Sequence, residues 1–416
     1  MNRANNINPA MLVWARETAG LTLEEAADAL PFLKDTQTQT AVYKLLALEA
    51  GDKAPTRKQL QAFAAAYHRT LTVFYLKAPP KQADRGEDFR QNQDSLTRQE
   101  SAKLDVLLRD MKARQEMLRD LLEEEEDTEP LDFVGSARVN DPVNHLADVM
   151  CHALGFDRAA HRTGKPDDLF RELRRKCEAL GVFVVLAGDL GSHHNALSAD
   201  LFRGFAISDP IAPLIVINSN DAKAARSFTL MHEFAHLWLG KTGVSGVPDA
   251  EPPRTPQARI EQFCNAVAGE ILLPAECLRD VDPDGVADQT KAERTIERLA
   301  KAWLVSEPMV TYRLRETGWL SPRLYSALMR HYAVRWQKQK ANEKQAQKDK
   351  EGGPGFHTVR RNRLGDSLMA IVHRSVRSNA LTYTKAAKVL GVNAGTVEPL
   401  LRTFEAARGD FFAGAE

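Results

Sequence analysis

The stretch RSFTLMHEFAHLWLG, residues 226–240, combines an apolar helical pattern with a H-E-x-x-H motif. His232 and His236 are four residues apart, so a helix places both imidazoles on one face, where they can bind one metal ion. Glu233 then points about 100° away and can reach a metal-bound water. Two histidines and a glutamate have no packing reason to lie in a buried apolar helix. The motif therefore favours a metal site over core histidines.

A catalytic zinc site needs a third protein ligand and one open position. The segment ARIEQFCNAVAGEILLP, residues 258–274, supplies the first candidate, Glu261, because helical spacing places it on one stripe of the segment. Glu270 in the same segment is a competing candidate, and His193 and His194 are weaker ones. The residue pattern alone leaves these alternatives open.

The residues before the motif predict a mixed secondary structure. A helical pattern over 167–179 is followed by the apolar run VFVVLA at 182–187. The runs LFRGFAIS at 201–208 and PLIVINS at 213–219 predict two further strands. The order helix, three strands, helix predicts an α+β fold that is mostly helical, with a small three-stranded sheet.

Both ends of the chain have helical patterns. Residues 8–78 predict several short helices, with Gly20 ending the first and Thr22 capping the second. A single long helix is predicted over 97–126, where Gly and Pro are absent. Near the C-terminus, LTYTKAAKVLGV at 381–392 is similar to LTLEEAADAL in the N-terminal region, which predicts a helix-turn-helix-like piece at each end.

The H-E-x-x-H motif together with E-x-x-C-N-x-V-A-x-E-I-L-L-P resembles the ImmA/IrrE family of zinc metallopeptidases. The resemblance implies a zincin-like domain and a Zn²⁺ cofactor. It implies that zinc is bound by His232, His236 and Glu261, and that Glu233 is the general base. Cys264, Val267 and Leu273 depart from the family's usual residues, but all three are apolar replacements that leave the ligands in place.

The first 80 residues resemble the XRE class of helix-turn-helix domains, which often pair, so a homodimer is a further expectation. Such a domain followed by D-F-R at 88–90, a long helix and this peptidase is a recurring arrangement. One departure is PFLKDTQTQT at 31–40, which lengthens the link before the third helix. The predicted units are the N-terminal domain at 1–80, a helical linker at 81–135, the peptidase domain at 136–338, a basic linker at 339–355 and a small helical domain at 356–416.

Polar side chains around the third predicted helix are candidates for contact with double-stranded DNA. The candidate base readers are Gln37, Thr38, Gln39, Thr40 and Tyr43, and the candidate phosphate contacts are Lys34, Lys44, Lys53, Arg57 and Lys58. Residues 1–80 hold 9 basic and 7 acidic side chains, a net charge of +2, which is low for a DNA-binding domain. Contact with protein instead of DNA is the alternative for this domain.

Composition limits the remaining possibilities. The 416 residues contain 56 Lys and Arg and 56 Asp and Glu, so no global field favours nucleic acid or a membrane surface. The four widely spaced cysteines are typical of reduced thiols. The sequence lacks a signal-peptide pattern and an apolar run of membrane-spanning length, which predicts a cytoplasmic protein without a membrane partner.

The leading hypothesis is a cytoplasmic zinc-dependent endopeptidase in which Glu233 takes a proton from water and passes it to the leaving amine. His193 and His194 are candidates for stabilising the oxyanion. The family resemblance implies a protein substrate such as a helix-turn-helix repressor, cleaved in a stress or mobile-element response. The alternative is a DNA-binding regulator or antitoxin whose peptidase-like domain senses or scaffolds.

Overall fold

Helices make up most of the protein, which is described here by a computed structural model. The described residues are 4, 6–80, 87–88, 97–125, 128–160, 162–190, 196–245, 255–348 and 355–413. The chain divides into two compact units, the first formed by residues 1–85 and 92–111 and the second by residues 86–91 and 112–416.

The first unit is all helical. Its helices are α1 (Pro9–Thr18), α2 (Leu23–Ala29), α3 (Ala41–Glu49), α4 (Arg57–Ala66), a 3₁₀ turn (Leu71–Tyr75) and the first part of α5 (Arg98–Glu123). Fully buried apolar residues, among them Met11, Leu12, Leu45 and Phe63, form its core. The helical pattern predicted for this region is confirmed.

Local capping explains where these helices begin and end. Thr22 accepts a hydrogen bond from the backbone N–H of Glu25, and the Glu25 carboxylate accepts one from the N–H of Thr22, which completes a capping box. Gly20 follows α1 with φ of 73°, a left-handed conformation that glycine adopts without steric cost.

The long link between α2 and α3 is held by its own side chains. The backbone N–H of Ala41 donates to Asp35 Oδ1 at 2.6 Å, so Asp35 helps to cap α3. Thr36 and Gln39 exchange backbone and side-chain hydrogen bonds across the tip of the link. The inserted residues therefore form an ordered turn in front of α3.

The second unit contains a five-stranded sheet. Its strands are β1 (Glu87–Asp88), β2 (Phe183–Ala187), β3 (Gly204–Ile207), β4 (Leu214–Asn218) and β5 (Gly243–Ser245), in the spatial order β1-β5-β3-β4-β2. β2 is parallel to β4, β3 is antiparallel to β4 and β5, and β1 is parallel to β5. The prediction of a three-stranded sheet is wrong, because β1 and β5 are too short to produce a strand pattern in the sequence.

Eleven further helices are described in this unit after α5. They are α6 (Val143–Leu154), α7 (Pro166–Ala179), α8 (Lys223–Trp238), α9 (Pro256–Leu272), α10 (Gln289–Trp303), α11 (Glu307–Glu316), α12 (Pro322–Lys348), α13 (Phe356–Leu364), α14 (Asp366–Arg377), α15 (Tyr383–Leu390) and α16 (Ala394–Ala413). α8 packs against β3, β4, α7 and α9. The fold is α+β and mostly helical, as predicted.

The C-terminal helices α13 and α14 pack against β2 and α7. The Arg174 guanidinium of α7 donates to the backbone carbonyls of Val184 and Asn362, the latter at 2.6 Å. The Glu178 carboxylate accepts a hydrogen bond from the backbone N–H of Asp366 at 3.2 Å. The predicted linker at 339–355 is helical as far as Lys348, and the predicted domain boundaries stay predictions.

In the part of the chain that the structure describes, no helix is both long and apolar enough to cross a membrane. Cys151, Cys177, Cys264 and Cys277 are all free cysteines.

Candidate metal centre

Helix α8 is fixed in place by the turn that connects it to β4. The Asn218 side chain, at the end of β4, donates to the backbone carbonyls of Ser198 and Phe202 at 2.9 and 3.0 Å. Asp221 accepts a hydrogen bond from the backbone N–H of Ala222 just before the helix begins. The bonds of Asn218 tie the end of β4 to the segment before β3, and the bond of Asp221 orders the turn before α8. Helix α8 therefore starts at a defined position on the sheet.

The two motif histidines meet the carboxylate of Glu261 on α9. The two Nε2 atoms of His232 and His236 are 3.1 Å apart. Glu261 Oε2 lies 3.3 Å from His232 Nε2, and Glu261 Oε1 lies 3.0 Å from His236 Nε2. Tetrahedral zinc with ligand bonds of about 2.0–2.2 Å has ligand atoms about 3.3 Å apart. The donor atoms therefore fit a zinc ion in both chemistry and spacing.

Electrostatics favours a cation among these three side chains. Burial lowers the pKa of His232, but the charge of Glu261 and its hydrogen bond to the imidazole raise it, and the net direction is upward. Burial raises the pKa of Glu261, but the two imidazoles outweigh this and lower it to about 2. The hydrogen bond between His232 and Asn265 acts with Glu261 to raise the histidine pKa. Glu261 is therefore a carboxylate, the ionisation state that a metal ligand needs.

Glu233 is completely buried beside strand β3 and is not one of the three grouped side chains. A Cβ atom built on Gly204 would lie 2.8 Å from Glu233 Oε1, so the absence of a side chain at Gly204 leaves room for the carboxylate. Gly204 was not among the site residues predicted from the sequence. A glycine inside a strand pattern indicates close approach of another group, and that signal was present in GFAIS.

The structure brings Glu261, and not the competing candidate Glu270, to the histidines. Glu270 forms ion pairs with Arg313 and Arg158, the second at 3.1 Å, and accepts a hydrogen bond from the backbone N–H of Ala275. Its partners indicate a structural role. The remaining candidates, His193 and His194, lie outside the described residues, as do residues 89 and 90 of the D-F-R motif.

The candidate DNA-contacting residues lie on the first unit around the start of α3. Gln37, Thr38 and Tyr43 are exposed, Tyr43 to 56%. Thr40 is exposed, but its side chain accepts a hydrogen bond from the backbone N–H of Tyr43 and caps α3. The Lys44 ammonium donates to the backbone carbonyl of Lys34 at 2.6 Å.

Of the remaining candidates, Gln39 is half-buried, whereas Lys34, Lys53, Arg57 and Lys58 are exposed. This leaves a surface with several accessible polar and basic groups at the start of α3 and α4. Two candidates, Thr40 and Lys44, also have structural roles.

Part of the chain matches a known protein family. Residues 177–315 match the Peptidase_M78 family, which is described as an IrrE N-terminal-like domain. The matched part contains α8, α9 and all three side chains of the metal centre. It shows that this part of the chain is similar to the ImmA/IrrE family and suggests a metallopeptidase-type function. Comparisons with curated proteins and with solved structures give no significant match.

Proposed function

We propose that the protein is a zinc-dependent endopeptidase with a zincin-like site. The observation that carries this proposal is the convergence of His232, His236 and Glu261, whose donor atoms have the mutual distances of zinc ligands. The family match over residues 177–315 supports the same class of activity. Zinc bound there supplies an acidified water and polarises a peptide carbonyl.

In this proposal the protein side chains have separate tasks. His232 and His236 hold the metal through Nε2, and Glu261 offers a carboxylate that is already ionised. Glu233 points away from the shared histidine face and has space for its carboxylate over Gly204. It accepts the proton of the attacking water and delivers it to the leaving amine nitrogen.

The proposed substrate is a partner protein such as a helix-turn-helix repressor, cleaved in a stress or mobile-element response, and the proposed location is the cytoplasm. This part rests on the family resemblance and on the four free cysteines, which fit a reducing compartment. We also propose that the first unit is an XRE-type helix-turn-helix domain that forms homodimers. Its capped short helices and ordered turn before α3 support that assignment.

The peptidase proposal is tested by comparing Glu233→Gln and His232→Ala with the unmodified protein. We expect Glu233→Gln to retain about one zinc per chain and to lose hydrolysis, and His232→Ala to lose both. Elemental analysis measures the metal, and incubation with a candidate repressor followed by mass spectrometry measures cleavage. Full proteolysis by Glu233→Gln would show that another group is the base.

A second candidate function is DNA-dependent regulation, as a regulator or antitoxin without proteolysis. The exposed Gln37, Thr38 and Tyr43 favour it because such side chains can contact base edges. If it holds, replacing Gln37 and Thr38 with alanine should weaken binding to the specific operator more than binding to unrelated DNA. Equal weakening on both DNAs in a salt-controlled binding assay would argue against base reading by these residues. Both functions can coexist in one chain.

A further inference from the structure

The three side chains of the metal centre are buried, and an aromatic ring that is only partly buried lies beside them on α8. The side chain of His236 is 0% exposed, that of His232 is 5% exposed and that of Glu261 is 8% exposed. Phe228 lies one helical turn before His232 on the same face of α8 and is only partly buried. Exposure therefore rises along this face from His236 toward Phe228. Phe228 is therefore a partly accessible apolar neighbour of the proposed metal ligands on this face.

The Phe228 ring is held between the metal centre and helix α11. Its centroid lies 6.3 Å from that of the His232 imidazole, with 31° between the planes. The Phe228 ring also meets the ring of Tyr312 edge to face, with centroids 6.4 Å apart and an interplanar angle of 68°. Tyr312 is buried, so it fixes the position of Phe228. The two rings form an apolar wall beside a proposed metal ligand.

Phe228 differs from the other large apolar residues of α8. Leu230, Met231, Phe234 and Leu237 are fully buried in the core of the second unit. Phe228 is instead only partly buried and packs against the margin of that core. An accessible apolar ring beside polar catalytic groups is the arrangement that enzymes use to select a substrate side chain.

We infer that Phe228, backed by Tyr312, forms an apolar subsite next to the metal centre and selects an aromatic or large aliphatic side chain beside the scissile bond. The inference rests on the proposed peptidase function and adds a substrate class to it. The subsite attracts such a side chain because both surfaces lose contact with water and the rings can stack. A small or charged substrate side chain in this subsite would gain neither the burial of apolar surface nor the stacking against the rings.

The test uses the full-length, zinc-loaded protein and a peptide pool of diverse sequence, with cleavage sites identified by mass spectrometry. We expect cleaved bonds to be enriched in Phe, Tyr, Leu or Met at one flanking position. Phe228→Ala should lower kcat/KM for peptides with these residues about tenfold, and that for alanine-containing peptides less than about twofold. Phe228→Leu should retain most of the preference because it keeps an apolar wall.

A matched control is Phe356→Ala, which removes a phenylalanine that is 63% exposed on α13. This variant should cleave the pool as the unmodified protein does. Zinc content measured for all variants shows whether Phe228→Ala still holds the metal, and Phe228→Leu serves as the test variant if it does not. Unchanged side-chain preference in Phe228→Ala or an equal loss on all peptides would overturn the subsite and leave the peptidase function standing.

Peptide binding to zinc-loaded Glu233→Gln separates failure of the subsite from failure of the proposed function. Tighter binding of a phenylalanine peptide than of its alanine counterpart, lost when Phe228→Ala is added, supports the subsite independently of turnover. Absence of any cleavage by the unmodified zinc-loaded protein would overturn the peptidase function. If peptide binding then shows no dependence on Phe228, the subsite is overturned as well.

Discussion

The absence of a side chain at Gly204 leaves the space that the carboxylate of Glu233, the proposed general base, occupies. A Cβ atom at this position would lie 2.7 Å from Thr229 Cγ2 and 2.8 Å from Glu233 Oε1, closer than real Cβ atoms approach. We expect Gly204→Ala to displace the Glu233 carboxylate and lower kcat at least about tenfold. Zinc content should be unchanged, because the substitution does not touch His232, His236 or Glu261.

The control for this substitution is Gly395→Ala on α16. A Cβ atom at Gly395 meets no atom within 4 Å, and its backbone does not require glycine, so activity should be retained. Steady-state kinetics and elemental analysis on both variants give the comparison. Gly204→Ala protein with full activity, or with lost zinc, would contradict the role assigned to this glycine.

Two buried glutamates on α9 offer a matched pair of substitutions. Glu261 contacts both histidines, whereas Glu270 contacts Arg313 and Arg158. We expect Glu261→Gln to deplete zinc, because the neutral amide is a poor ligand. Glu270→Gln should retain zinc and lower the unfolding free energy by about 1–3 kcal/mol, because Arg313 and Arg158 lose a buried ionic partner while Arg313 keeps its ion pair with Glu316.

Elemental analysis and chemical denaturation measure these two effects on the same samples. Zinc lost from Glu270→Gln but retained by Glu261→Gln would exchange the proposed roles of the two residues. The two glutamates also show what the sequence could not decide about the third metal ligand. α9 is buried on nearly all sides, so the pattern of polar residues did not show which of its faces meets the metal site. The sequence alone therefore could not decide between the two glutamates, and the packing of α9 against α8 does.

At the scale of secondary-structure elements, α7 links the metallopeptidase-like region to the C-terminal helices. Arg174 on α7 is buried and donates hydrogen bonds to carbonyls of β2 and α13. We expect Arg174→Met to lower the unfolding free energy by about 3–5 kcal/mol, because it strips the ion-pair partner from the buried Glu178 and leaves these carbonyls unsatisfied.

Arg171→Met on the same helix is the control. The Arg171 side chain is 65% exposed, and it contacts the nearby Asp168 carboxylate and the backbone carbonyl of Asp167, so its loss should change stability by less than about 1 kcal/mol. Urea denaturation of both variants tests the difference. Equal stability of the two variants would show that Arg174 does not hold the C-terminal helices.

Elements with a strong local pattern were predictable from the sequence, and elements defined by distant partners were not. β2 and β4 have continuous apolar runs and α8 has a buried helical pattern, so their types were foreseen. β1 and β5 contain two and three residues, and they become strands only through pairing with each other and with β3. Likewise, nothing in the sequence around Arg174 in α7 indicated that one of its hydrogen-bond partners, the carbonyl of Asn362, lies 188 residues away in α13.

At the scale of the whole molecule, the two compact units have separate apolar cores. Met11, Leu45 and Phe63 belong to the core of the first unit, and the residues around α8 and α9 belong to that of the second. The three proposed metal ligands lie in the second unit. A ligand that binds only the folded state stabilises the unit that contains its site. Zinc should therefore act on one unit alone.

We expect calorimetry of the zinc-loaded protein to show two thermal transitions, of which EDTA lowers only one. Zinc at about 100 times its Kd adds about 2.7 kcal/mol to the unfolding free energy, which for a unit of this size corresponds to a fall of about 4 °C when it is removed. Glu261→Gln should already unfold at the lower temperature and should not respond to EDTA. A single transition that moves as a whole would show instead that the two units unfold cooperatively, through the helix α5 that both of them share.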